Sequence, residues 1–204
     1  MIYLFLSPGF EEVEALAPLD LLRRAGEKVT TVAITTPAGI PATEHAVTGS
    51  HRITVIADMS EADFARYMDS TRRDPTAMPI SAVILPGGMP GAAHLDASPL
   101  VDETLRLAAD QGACLAAICA APMVLGKRGY LVGRRATCFP GFEDKLTGAT
   151  VGGSVIRDES GVNGDFVTVT AAGMGVAQEF GLELISLLVS PKVAGEIRAA
   201  IQTP

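Results

Sequence analysis

The run Cys114–Gly129, CLAAICAAPMVLGKRG, passes from a short apolar segment through Cys119 into Ala-Ala-Pro and then a helix-compatible stretch. A residue at a tight strand-to-helix turn projects beyond the sheet edge. The helix behind it aims free N–H groups, with their partial positive charge, at that point. A thiol placed there would be favoured as thiolate, the nucleophilic form. The flanking Ala116, Ala117, Ala120 and Ala121 are small enough for a cramped backbone. The competing reading is that Cys119 packs as a small hydrophobe, as free cysteines commonly do. Cys114, inside the apolar segment, reads as core; Cys138 reads either as core or as a neighbour of the same pocket.

Glu14 is the second candidate. On a helix it falls in line with Pro18, Leu21 and Ala25, so it shares an apolar face. Pro18 removes the hydrogen bond to the Glu14 carbonyl and kinks the helix there. An acid on such a face has a raised pKa, and when protonated it can donate to a thiolate or pass a proton to a reacting group. The plainer reading is a first-turn acid, as Glu11 and Glu12 are read. Gly87-Gly88, after an apolar run, could turn backbone N–H groups towards the same place and, with the Ala120 N–H, form an oxyanion hole; it could equally be a sharp turn. His45, His51 and His94 all precede Cys119, and no metal-ligand spacing, dinucleotide fingerprint or phosphate loop is present, so no metal and no cofactor is expected.

Positioning these residues requires alternating elements. Apolar runs at 1–6, 28–35, 81–85, 113–118 and 166–170 predict strands; helical patterns at 11–25, from Ser98-Pro99 to Gln111, at 120–127, at 176–189 and after Pro191 predict helices. The stretch 44–57 predicts a hairpin around Thr48-Gly49-Ser50. Short apolar runs alternating with helices imply an α/β fold of mainly parallel strands with helices on both faces. In such folds ligands bind beyond the carboxyl ends of the strands. Ser7-Pro8-Gly9, Pro86-Gly87-Gly88 and Cys119 all fall there.

With 204 residues the chain is expected to be one domain, 1–204, with an exposed insertion at 69–79. The formal net charge of -7 and the absence of a Lys/Arg stripe argue against nucleic acid. Arg23-Arg24, Arg72-Arg73 and Arg134-Arg135 read as isolated doublets, solvated or paired locally. Three cysteines make no disulfide framework, the opening MIYLFLSPGFEEVE lacks a basic leader region, and no apolar stretch reaches membrane-spanning length. A reducing cytoplasm, with no membrane contact, is the expectation.

SPGFEEVEALAPLDLLRRAGEKVT, VILPGGMPGAAHL, LAAICAAPMVL, ATCFPGFED and VTVTAAGMGVAQEFGLELI occur in the order found in the ThiJ/PfpI superfamily. The chain most resembles the branch of the parkinsonism-associated protein deglycase and bacterial ThiJ-like proteins. The resemblance spans nearly the whole chain. It implies a flavodoxin-like, class I glutamine-amidotransferase-like three-layer sandwich with a mostly parallel central sheet, in a homodimer. It further implies that Cys119 is an oxidisable nucleophile on a strained elbow, Glu14 its hydrogen-bonding acid, and Gly88 and Ala120 the backbone donors. Gly87, Phe139, Cys138, Arg24 and His51 are expected to line the pocket.

The departures from the family pattern bear on function. Where the peptidase and amidotransferase branches carry histidine after the cysteine, this chain has Ala120, which argues against a Cys-His-Glu peptidase. Phe139 in TCFP stands where close relatives carry histidine, and Met174 and Val176 replace Pro and Thr of a G-P-G-T element. The leading expectation is a cysteine-dependent enzyme on small aldehydes or glycated substrates, converting a 2-oxoaldehyde to a 2-hydroxy acid. The alternatives are an oxidative-stress sensor or holdase using Cys119, and a small-molecule hydratase or amidase. No phosphate cradle supports thiazole phosphate chemistry.

Overall fold

A computed structural model describes residues 1–35, 45–71 and 79–203. The chain runs β1 (Ile2–Leu6), α1 (Glu12–Arg24), β2 (Val29–Ala33), β3 (Ala46–Thr48), β4 (Thr54–Ile56), β5 (Met59–Ser60), α2 (Glu61–Thr71) and β6 (Ala82–Leu85). It continues through α3 (Gly91–Ala97), α4 (Pro99–Asp110), β7 (Cys114–Ile118), α5 (Pro122–Lys127), β8 (Arg135–Ala136), β9 (Thr150–Val151), β10 (Val155–Asp158), β11 (Val167–Ala171), α6 (Ala177–Leu188) and α7 (Pro191–Ala200).

Seven strands form one sheet in the order β10-β11-β7-β6-β1-β2-β5. Every pairing in it is parallel except β10 with β11. The strands β2-β1-β6-β7-β11, counted along the chain, have the doubly wound 2-1-3-4-5 order of the flavodoxin-like fold. Side chains alternate across the sheet as period two demands. Tyr3, Phe5, Val83, Leu85, Leu115 and Ala117 enter the core under α2, α3, α4 and α5. Ile2, Leu4, Leu6, Ile84, Ala116 and Ile118 enter the core under α1, α6 and α7. The result is a three-layer α/β sandwich, as the alternating pattern predicts.

Caps fix where the helices begin. Ser98 accepts from the Val101 N–H ahead of Pro99 at the first helical position of α4, and Gly26 takes φ +84° just past α1. Gly181 lets α6 lie against α1: a Cβ there would stand 2.7 Å from Leu21 Cδ1 and 3.0 Å from Pro18 Cα. Close packing of these two helices fixes the face of α1 that bears Glu14.

Some elements differ from expectation. Helix α5 starts at Pro122, two residues late, because Ala120 and Ala121 form a turn (Ala121 N–H to Ile118 O, 3.0 Å). The β3–β4 hairpin turns at 49–53. Helices α2 and α3 and strand β10 carry no strong sequence signal. Of the expected insertion at 69–79, residues 69–71 are the last turn of α2, and 72–78, with the Arg72-Arg73 doublet, lie outside the described residues. Arg134 is fully buried, bonded to Asn163 Oδ1 (2.7 Å) and Gly164 O (2.8 Å), near Asp158 and stacked 4.2 Å from the Phe166 ring centroid. No helix among the described residues is long and apolar enough to cross a membrane.

Candidate active site

Three adjacent strands, β1, β6 and β7, end at one crevice, where the chain leaves β1 and β6 in opposite directions across the sheet. Cys119 follows β7 directly and has φ +64°, a left-handed conformation that non-glycine residues hold at a cost of roughly 1–3 kcal/mol. Its backbone is pinned on both sides: its N–H donates to Ala171 O and its carbonyl accepts from the Phe139 N–H, each at 2.8 Å. The strained turn therefore depends on β11 and on the 137–140 segment.

The half-buried Cys119 Sγ meets the Glu14 carboxyl and the backbone N–H groups of Gly88 and Ala120. Glu14 is 1% exposed, and its carboxyl also accepts from the Gly87 N–H (3.1 Å to Oε2) and the Met174 N–H. The Glu14 N–H in turn donates to the carboxylate of Glu11, the N-cap of α1, at 2.7 Å. Gly87 must lack a side chain for this meeting to occur, since a Cβ would stand 2.5 Å from Glu14 Oε2 and 2.7 Å from Cys119 Cβ. Gly88, at φ +84°, would put a Cβ 2.4 Å from the Glu11 nitrogen.

Burial pushes Glu14 up to about 7, with the Glu11 charge adding to the rise; the bond to Cys119 and the Gly87 and Met174 N–H groups oppose it. Burial, then the Glu14 negative charge, pushes the Cys119 thiol up to about 12, against the pull of the Gly88 and Ala120 N–H groups. The sequence-based expectation of a thiol acidified by its turn is therefore reversed in direction, because burial and the Glu14 charge outweigh the Gly88 and Ala120 N–H groups. While Glu14 is ionised, the thiol stays protonated. When Glu14 carries the proton, the opposing charge disappears and its O–H becomes a donor to sulfur. Above about pH 7 the pair holds one proton and one negative charge between them.

Phe139 and Met174 stand at the rim, 48% and 53% exposed. Cys138 does not face Cys119: it is buried in the core layer of α2–α5, whereas Cys119 packs against the opposite layer. Arg24 lies at the far end of α1, ten residues from Glu14 (about 15 Å along the axis), in an exposed pair with Asp20. The chain does not itself bring Arg24 to the thiol. His51 sits at the hairpin tip and engages Glu12 instead, with its N–H 2.7 Å from Glu12 Oε1 and Nδ1 2.9 Å from Oε2.

Glu12 is the residue that sequence reasoning undervalued. It is 3% exposed and clamps the β3–β4 hairpin to α1, also accepting from the Ile53 N–H at 3.3 Å. The bond from His51 holds its carboxyl below the usual range against burial, which acts the other way. A possible signal was its spacing, adjacent to the helix start yet facing a polar Ser50-His51 turn. Glu11, Glu12 and His51 bring donor atoms within 4.8 Å of one another, a set a cation could use. Both Glu12 oxygens are already committed to N–H and imidazole partners, so the group acts as a clamp.

Two outcomes follow from this geometry. Cys119 alkylates far faster than Cys114 or Cys138 at neutral pH, because those two are buried away from the reagent, whereas Cys119 is half-buried and meets the Gly88 and Ala120 N–H groups and the Glu14 carboxyl; burial raises all three thiols, so access and these donors separate them. Mass-mapped iodoacetamide kinetics check this; equal rates at the three would contradict it. The second concerns stability. Glu14, raised from 4.5 to about 7, binds a proton in the folded state that the unfolded chain releases between those values. Stability therefore falls as pH rises through that window, and the whole penalty is present above about 7. Glu14→Gln removes it, so the variant gains roughly 1–3 kcal/mol over wild type at pH about 8 and little at pH about 4, read as a pH-dependent difference in Tm.

A family model described as the DJ-1/PfpI family matches residues 1–187. Protein dj-1beta of Drosophila melanogaster is 35% identical over 192 residues, covering 94% of this chain and 91% of that protein. A Caenorhabditis elegans protein named glutathione-independent glyoxalase DJR-1.2 is 37% identical over 110 residues, covering 54% of this chain and 56% of that protein. The solved structure of oxidized Toxoplasma gondii DJ-1 is similar at a TM-score of 0.80 and 28% identity, over 98% of this chain and 97% of that one. Strand order, the glycine turn after β6, the cysteine after β7 and these matches agree, and the chain belongs to the DJ-1/PfpI family.

Proposed function

We propose that this protein is a cysteine-dependent enzyme that converts small 2-oxoaldehydes, free or as glycation adducts, to 2-hydroxy acids. The observation that carries the reading is the meeting of the Cys119 thiol, on its positive-φ turn, with the Glu14 carboxyl and the Gly88 and Ala120 N–H groups. Cys119 adds as thiolate to the aldehyde carbon, and the developing oxyanion lies against those two N–H groups. The proton held on Glu14 passes to that oxygen, giving a hemithioacetal and leaving Glu14 ionised. Glu14 then takes the hydrogen from the former aldehyde carbon as a proton, forming an enediolate, and returns it to the neighbouring carbon. The hydroxyl proton on the former aldehyde oxygen passes to the former ketone oxygen, which gives a 2-hydroxy thioester. Water cleaves it, releasing the acid and restoring the thiol. One carbon is oxidised and its neighbour reduced, so no external oxidant takes part.

A homodimer fits this reading. Val13 on α1 and Ile53 and Ile56 on the hairpin are exposed apolar side chains, and Glu12 holds those two elements together. A reducing compartment such as the cytoplasm suits a free nucleophilic thiol. A second reading has a specific observation behind it. The same donors that hold Sγ would also hold a sulfinate, making Cys119 a peroxide sensor.

Lactate formation from methylglyoxal without glutathione tests the enzyme. Wild type forms lactate and Cys119→Ser does not; Glu14→Gln loses about 100-fold or more of turnover while its Cys119 still alkylates. If Glu14→Gln turns over normally, Glu14 is a structural partner only. Phe139→His separates the two readings. The Phe139 ring and Glu14 Oε1 flank the same point beside Gly173, so an imidazole at 139 adds a base near the substrate carbon and raises turnover. Under the sensor reading the same change leaves peroxide oxidation of Cys119 unaltered and creates no lactate.

A further inference from the structure

Beside the reacting groups lies a surface their chemistry does not use. Phe139 donates its N–H to Cys119 O at 2.8 Å, so its ring is tied to the nucleophile's own turn. Its Cδ2 lies 3.4 Å, and Glu14 Oε1 lies 3.9 Å, from the point where a Gly173 Cβ would stand. The next residue, Met174, donates its N–H to the Glu14 carboxyl and leaves its side chain 53% exposed. Met89, 51% exposed, follows Gly88, whose N–H holds the thiol. Large exposed apolar side chains thus sit one covalent or hydrogen-bond step from Gly88, Glu14 and Cys119.

We propose that Phe139, with Met174 beside it, forms an apolar subsite that selects 2-oxoaldehydes bearing an aromatic substituent on the ketone carbon. The inference rests on the aldehyde reading above and deepens it. A ring that stands half exposed recovers its burial only when a ligand covers it, at about 25 cal/mol per Å² of apolar surface removed from water. A planar aromatic substituent adds offset or edge contacts with the Phe139 ring and contact with the thioether of Met174. The charge acting on Glu14 from nearby is the negative Glu11, so a substrate carrying a second carboxylate or a phosphate meets repulsion. Arylglyoxals satisfy both conditions. Phenylglyoxal plus water gives mandelate and a proton, with the aldehyde carbon oxidised, the ketone carbon reduced, and the carbon-bound hydrogen carried by Glu14.

Initial-rate kcat/KM values for phenylglyoxal and methylglyoxal, with mandelate and lactate as the detected products, test this in wild type, Phe139→Ala, Phe139→Tyr and Met174→Ala. The ratio of phenylglyoxal to methylglyoxal falls about tenfold in Phe139→Ala relative to wild type, mainly through KM. It is kept in Phe139→Tyr and falls by a smaller factor in Met174→Ala. Comparing variants cancels the difference in intrinsic reactivity of the two aldehydes. A ratio unchanged in Phe139→Ala, with both products still lost in Cys119→Ser, overturns the subsite and leaves the aldehyde enzyme standing. If wild type forms neither product, the aldehyde reading itself fails and the subsite with it.

Discussion

A carboxyl group held out of water against a thiol is an unfavourable arrangement, and much of this molecule is arranged to maintain it. Left alone, Glu14 would be ionised at neutrality and would keep Cys119 protonated. Burial on α1 changes that balance: it lifts the acid to about 7, so that near neutrality the carboxyl can keep a proton and present a donor to a thiol that burial itself pushes up. Neither residue can be understood by itself. The Gly87 and Met174 N–H groups hold the acid and those of Gly88 and Ala120 hold the sulfur, so all four come from the backbone, whose positions the fold fixes rigidly.

Topology explains how residues as distant in sequence as Glu14, Gly87, Cys119 and Met174 meet. Parallel strands deliver their carboxyl ends to one edge, and the reversal of winding between β1 and β6 opens a crevice there. Glycine turns and the left-handed Cys119 let the chain segments come closer than ordinary side chains allow. The packing of Gly181 on Pro18 and Leu21 then sets the rotation of α1, hence the aim of Glu14. Strain at Cys119 is local, and its two 2.8 Å backbone bonds to β11 and the Phe139 segment hold it in place.

The five parallel strands β1, β2, β6, β7 and β11 and the helices α1, α4, α6 and α7 could be read from the sequence because their signals are local: apolar runs, Ser98-Pro99, Gly26, and the shared line of Glu14, Pro18 and Leu21. The pairing of an acid on an apolar face with a thiol at a turn was likewise readable, as two separate anomalies. What could not be read depends on contacts remote in sequence. Glu12 looks like any first-turn acid until the hairpin folds over it, 39 residues away at His51. Cys138 lies beyond the end of β8, and it joins a core layer through the packing of the 137–140 segment rather than through its spacing from Cys119. Arg134, in an ordinary basic doublet, is buried because Asn163, Gly164 and Phe166 close around it. The direction of the thiol's shift also escaped, since it depends on how far Cys119 and Glu14 are withdrawn from water.

The central claim is that Glu14 keeps its proton to near neutrality, and the carboxyl carbon of Glu14 reports that directly. With glutamate labelled at that carbon, the resonance absent from Glu14→Gln identifies the residue, and its shift is followed against pH. The account predicts a titration with a midpoint near 7, displaced in Cys119→Ser as the partner changes. A midpoint near the ordinary 4.5, unaffected by Cys119→Ser, would contradict it.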